Sequence, residues 1–118
     1  MEKTFIYSGY IETDLDNVIY ILKTFLDASN ITDRYAVDIE REVKYRDEKI
    51  DIYSYKYSEK GSLFQVELNG TNEEAQSFID TITEKLREDS IVHQFEWNEV
   101  DENEDQVGEE FEIRFPED

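Results

Sequence analysis

There is no cysteine anywhere in the 118 residues, so disulfides and thiolate metal sites are excluded. Histidine occurs once, as His93, with no cysteine as partner. A lone histidine at the start of a strand is expected to be structural rather than catalytic. Glycine is scarce, and Gly9, Gly61, Gly70 and Gly108 stand far apart. That spacing builds neither a phosphate-binding loop nor a dinucleotide fingerprint. No serine or threonine sits in a nucleophile-elbow pattern. Carboxylates are so frequent that no one pair stands out as an acid/base couple. The expectation is a protein that is not an enzyme and holds no cofactor. There is also no run of eighteen apolar residues and no basic-then-apolar leader, which predicts a chain that neither spans nor anchors to a membrane and works in the cytoplasm. The sequons at Asn30-Ile31-Thr32 and Asn69-Gly70-Thr71 are then coincidental.

Basic residues are scarce too. Twelve lysines and arginines face 31 aspartates and glutamates, for a net charge of −19. Such a charge repels DNA, RNA and anionic lipid and attracts basic surfaces and cations. It is also uneven: the last twenty residues hold ten carboxylates and one base, Arg114. What is abundant is aromatic: 14% of the residues, within 38% apolar overall. That is too much for a disordered acidic polymer, so one folded domain over residues 1–118 is expected.

Along the chain, Lys3–Glu12 is aromatic and β-branched, as a strand requires. Thr13-x-x-Asp16 then resembles a helix start. Leu15, Val18, Ile19, Leu22, Phe25 and Leu26 follow at helical spacing, predicting a helix over Asp14–Ser29. From Tyr35 to Tyr45 the period is two, with Tyr35, Val37, Ile39, Val43 and Tyr45 on one face and Asp38, Glu40, Glu42 and Lys44 on the other. Further strands are predicted at Ile50–Tyr57 and around Phe64, Val66 and Leu68. Thr71-x-x-Glu74 is a capping box before the stripe Ala75, Phe78, Ile79, Ile82 and Leu86, a helix ending near Ser90. Ile91–Glu99 and Glu109–Phe115 alternate again, and Pro116 ends pairing, so residues 91–116 form an acidic hairpin. The fold class is α+β, in element order βαββ-βαββ, with two helices on one face of a mainly antiparallel sheet. The other face is left to solvent.

Three features bear on function. The stretch Asp101–Glu112, DENEDQVGEEFE, places Asp101, Asn103, Asp105, Glu109 and Glu112 at the oxygen-donor spacing of an EF-hand loop, with the Val107 carbonyl at position seven. Gln106 stands where the turn wants glycine, Gly108 where an apolar residue packs, and strands flank the loop. A solvated hairpin loop is therefore expected over a calcium site. Second, Tyr53, Tyr55 and Tyr57 lie on one face of a strand whose other face carries Ile50 and Ile52. A bulge near Tyr53 would turn the tyrosines into the core. Without it they are exposed, and tyrosine is a favoured interface residue. The bulge is the reading taken.

Third, the hairpin puts Glu96, Glu110 and Glu112 on the face opposite Phe95, Trp97, Phe111, Ile113 and Phe115. Carboxylates two apart on a strand lie about 6.6 Å apart, with a second row about 5 Å away on the neighbouring strand. Duplex DNA is a comparable array, with one charge per roughly 1.7 Å of axis. The expected function is a small acidic inhibitor that mimics nucleic acid and occupies the basic groove of a nuclease or other nucleic-acid-binding protein, without touching nucleic acid itself. Glu96, Asp101, Glu102, Glu104, Asp105, Glu109, Glu110 and Glu112 are the expected contacts. By charge and size, and by no motif, the chain is similar to phage anti-restriction and anti-CRISPR proteins and to nuclease immunity proteins. The alternative is a small regulatory or housekeeping domain that binds a protein through Tyr53, Tyr55 and Tyr57. Nothing in the sequence sets the oligomeric state.

Overall fold

The alternating segments pair into a single seven-stranded antiparallel sheet, and the two helical stripes pack on one side of it. The computed structural model describes residues 2–35 and 41–116. In chain order the elements are β1 (Lys3–Ile11), α1 (Leu15–Lys23), a short 3-10 turn (Ala28–Asn30), β2 (Ile31–Tyr35), β3 (Arg41–Arg46), β4 (Ile50–Lys56), β5 (Ser62–Gly70), α2 (Asn72–Glu88), β6 (His93–Val100) and β7 (Gln106–Phe115). The sheet order is β2-β3-β4-β5-β1-β6-β7. The oldest strand in sequence, β1, thus sits between β5 and β6, and β2 and β7 are the edges.

Alternation decides the two faces. In β1, Phe5, Tyr7 and Ile11 point to the helices; in β5, Phe64, Val66 and Leu68; in β4, Ile52; in β6, Phe95 and Trp97. Val18, Ile21 and Leu22 of α1 and Ala75, Phe78, Ile79, Ile82 and Leu86 of α2 close over them. Each large apolar side chain so buried contributes about 1.5–3 kcal/mol. Tyr7 ties the layers together: its ring stacks on Trp97 at 5.4 Å and meets Phe78 at 5.2 Å, and its hydroxyl donates to the Ala75 carbonyl at 2.8 Å. The α2 capping box forms as read, with Glu74 N–H donating to Thr71 Oγ1 and Thr71 N–H to Glu74 Oε1, each at 3.1 Å. Among the described residues no helix is long and apolar enough to cross a membrane.

The α+β class, the antiparallel sheet and the one-sided helices match the sequence reading. Three local readings are corrected. The single strand expected over Tyr35–Tyr45 is a hairpin, β2 paired with β3, with Tyr35 opposite Arg41. Val43 and Tyr45 do face the core, whereas Val37, Asp38, Ile39 and Glu40 lie outside the described residues. Helix α1 is shorter than the Asp14–Ser29 span. Its N-cap is Asp14, whose side chain accepts from Asn17 N–H at 2.9 Å. Thr24 closes it by returning its hydroxyl to the Ile21 carbonyl at 2.6 Å. Finally, β4 has no bulge. Its register to β3 and β5 is unbroken, so Tyr53 and Tyr55 face away from the helices.

Candidate functional site

The acidic residues gather at the β6–β7 end of the sheet. Glu96 lies directly opposite Glu112 across the β6–β7 pair, with Ser8 of β1 on its other side. At the hairpin tip, Asp101 organises the turn. Its Oδ1 accepts from Asn103 N–H at 2.9 Å and Asp105 N–H at 3.0 Å, while Asp101 N–H donates to the Asp105 carbonyl at 2.9 Å. Glu104 takes a left-handed φ of 65° to complete it. Beyond the turn the pairing slips: Glu99 faces Val107, then Trp97 faces Phe111. One β6 residue, Asn98, therefore spans Gly108, Glu109 and Glu110. This is a β-bulge, and Gly108 enters it at φ 75°, where a side chain would be strained.

Glu96, Asp101, Glu102, Glu104, Asp105, Glu109, Glu110 and Glu112 are all exposed. Among the described residues, Glu112 has a weak pairing with Arg114 at 3.6 Å, and Asp101 serves backbone amides. The other six carboxylates have no hydrogen bond or ion pair among the described residues. The fold thus delivers all eight to one edge and one end, facing solvent. The calcium spacing is not converted into a cage. Gln106–Glu112 runs extended in β7, and no group of three or more acidic or histidine side chains among the described residues could hold a metal ion.

The tyrosines belong to a second patch on the helix-free face. Their strand, β4, is separated from β6 by β5 and β1, three strand spacings or roughly 14 Å. Tyr53 and Tyr55 lie ring to ring at 5.3 Å and are half-buried. Tyr57 lies past the strand end, exposed, with its ring edge-on to Tyr10 at 5.9 Å. Sequence reasoning missed what holds this patch. Glu42, only 8% exposed, accepts from Arg34 Nε at 2.7 Å and from the Tyr53 hydroxyl at 2.8 Å. The Arg34 guanidinium first, and the Tyr53 hydroxyl second, hold its carboxyl below the usual range. Lys44 approaches Glu42 at 3.7 Å and lies over the Tyr53 ring at 5.6 Å. Beside this network is a shallow depression of about 850 Å³ lined by Ile6, Ser8, Thr32, Lys44, Arg46 and Gln65, among others. Its polar lining is mixed in sign, with Asp51 and Glu67 also present.

His93 is buried under the hairpin, with both ring nitrogens engaged. Nδ1 donates to the Ile91 carbonyl at 2.8 Å, which leaves Nε2 to accept from the Thr83 hydroxyl at 2.6 Å in the neutral ring. Phe115 stacks on it at 5.8 Å. The geometry is that of a structural side chain joining α2 to β6. Compared with known proteins, the chain finds no counterpart: no family model, no curated protein and no solved structure matches it.

Proposed function

We propose that this chain is an acidic docking protein, not an enzyme. It binds a basic, nucleic-acid-handling protein in the cytoplasm by presenting the β6–β7 carboxylates where that partner accepts phosphates. One observation carries the reading. Eight carboxylates are gathered on one edge and tip of a folded sheet, exposed, and among the described residues Arg114 is the one base that pairs with any of them. Like charges opposite each other, as at Glu96 and Glu112, weaken a strand pair by some tenths of a kcal/mol. Solubility needs much less than −19. A basic groove supplies the compensation the sheet lacks. A nuclease is the kind of partner such a surface fits.

The half-buried Tyr53 and Tyr55, with the exposed Tyr57 beside them, support a second reading, a protein-interaction surface on β4 that would depend little on salt. A pull-down separates the two. The immobilised chain is expected to retain basic proteins from a cell lysate at low salt and release them at high salt, because exposed charge pairs are screened. A variant with glutamine at Glu96, Glu109, Glu110 and Glu112 is expected to retain none. Retention that survives both high salt and these substitutions, but fails in a Tyr53→Ala, Tyr55→Ala variant, would move the docking surface to β4.

A further inference from the structure

Between the N-terminal turn of α2 and the β7 bulge, the helix side of the sheet has a notch of about 330 Å³. Phe111 and Val107 form its lip and are 48% and 40% exposed, two of the few large apolar side chains left open to water. Trp97 lines it, 5% exposed, with Phe111 against its ring at 4.9 Å. The Trp97 indole N–H is buried and has no hydrogen-bond partner among the described residues. An indole N–H can only donate, and a buried donor left unpaired is costly. Glu99 and Glu109 stand at the rim. Among the described residues, of these two only Glu99 has an ion pair, with Lys3 at 3.5 Å. An open apolar seat with carboxylates at its rim adjoins the acidic edge.

We propose that this notch seats one apolar side chain of the basic partner. It would be a phenylalanine-sized group held on Phe111, Val107 and Trp97 and flanked by lysines or arginines that meet Glu99 and Glu109. The carboxylate array gives attraction, and the notch gives selection among basic segments. Apolar anchors in small pockets with charged rims are how interfaces concentrate their affinity. The bulge builds the seat: Gly108 at its start has nothing within 4 Å of where a Cβ would stand, so the wall is open there. The proposal rests on the acidic docking reading, and the test separates the two.

Trp97 is the only tryptophan, so its emission and its single indole N–H resonance report on the notch alone. The probes are two blocked peptides, Lys-Lys-Phe-Lys-Lys and Lys-Lys-Ser-Lys-Lys, titrated into the full chain at low and high salt. The phenylalanine peptide is expected to bind about tenfold tighter, the equivalent of burying much of one aromatic side chain. It should also move the indole resonance and change the emission, which the serine peptide should not. Phe111→Thr is expected to remove the preference; should that variant fold poorly, the wild-type comparison still decides. Equal binding of both peptides, salt-sensitive and with Trp97 unmoved, overturns the notch and leaves the acidic surface standing. Binding of the phenylalanine peptide that high salt does not weaken overturns the basic occupant and, with it, the acidic reading. Binding of neither peptide overturns both.

Discussion

At the position of Gly9, strands β1 and β6 come so close that a Cβ would meet the Gln94 carbonyl oxygen at 2.1 Å and the Phe95 ring at 2.4 Å. Neither can yield easily: one is backbone of the paired strand and the other is fully buried. Gly9→Ala is therefore expected to cost about 1–3 kcal/mol, as overpacking of a core does, read as a lower midpoint in urea at unchanged slope. His93 carries a pH signature. Burial pushes its pKa below the ordinary 6.5, the Ile91 carbonyl opposes that, and the Arg87 charge adds to it. The unfolded chain takes up a proton near pH 6.5 that the folded chain refuses. The stability due to neutral His93 is thus complete above that pH and declines as pH falls below it. The stability gap between wild type and His93→Gln is expected to narrow between about pH 7.5 and pH 5.5. A gap constant across that range would mean the imidazole titrates normally in the fold. The structural role of this residue was legible from its isolation. The partners Thr83 and Ile91 were not, since a three-dimensional contact between α2 and β6 leaves no local pattern.

Helix α1 is held to the β2–β3 edge by one arginine. Arg41 grips Asp33 with two bonds of 2.8 Å and reaches Asp16 of α1 at 2.6 Å. Those hydrogen bonds, Asp33 foremost, raise the arginine's affinity for its proton, and the same contact holds the Asp33 carboxyl below its usual range. Solvent reaches Asp16 and Asp33, so the cluster is worth about 1 kcal/mol rather than the value of a buried network. Arg41→Met is expected to lose that amount in chemical unfolding, and Arg41→Lys to recover less than half, because an ammonium cannot make the fork. Loss of nothing in either variant would show that packing alone holds α1. This corner was also the least legible in sequence. Both faces of β2 are largely exposed, so Ile31–Tyr35 lacks the alternation that marks a strand. No glycine or proline punctuates residues 36–40 before β3. The alternation around Val43 and Tyr45 was read correctly, but the strand was extended back to Tyr35, which lies in β2. In β4, Ile50 and Ile52 against Tyr53 and Tyr55 looked like a conflict needing a bulge. A half-buried open face takes the tyrosines without one, because Glu42, itself held by Arg34, accepts from the Tyr53 hydroxyl. The bulge was in β7, at Gly108–Glu110, just where the alternating run Glu109–Phe115 begins.

As a whole the molecule separates its charge from its packing. The described core is apolar and continuous, spanning both helices and five of the seven strands, while the edge strands β2 and β7 contribute the partly buried Ile31 and Ile113 and β7 carries acids outward. Segregation of this kind was visible in the sequence as a charge gradient. Its placement on a sheet edge, with Glu96 opposite Glu112 and the turn pinned by Asp101, required the register. The central claim is that this edge stands in for phosphates. The most direct measurement is competition: a fluorescent duplex bound to the basic protein that the chain captures, with fluorescence anisotropy followed as the chain is added. Wild type is expected to release the duplex at low salt, and the variant with glutamine at Glu96, Glu109, Glu110 and Glu112 to need at least about tenfold more protein, since several charge contacts are lost together. A partner that binds chain and duplex at once, or a variant that competes as well as wild type, would contradict it.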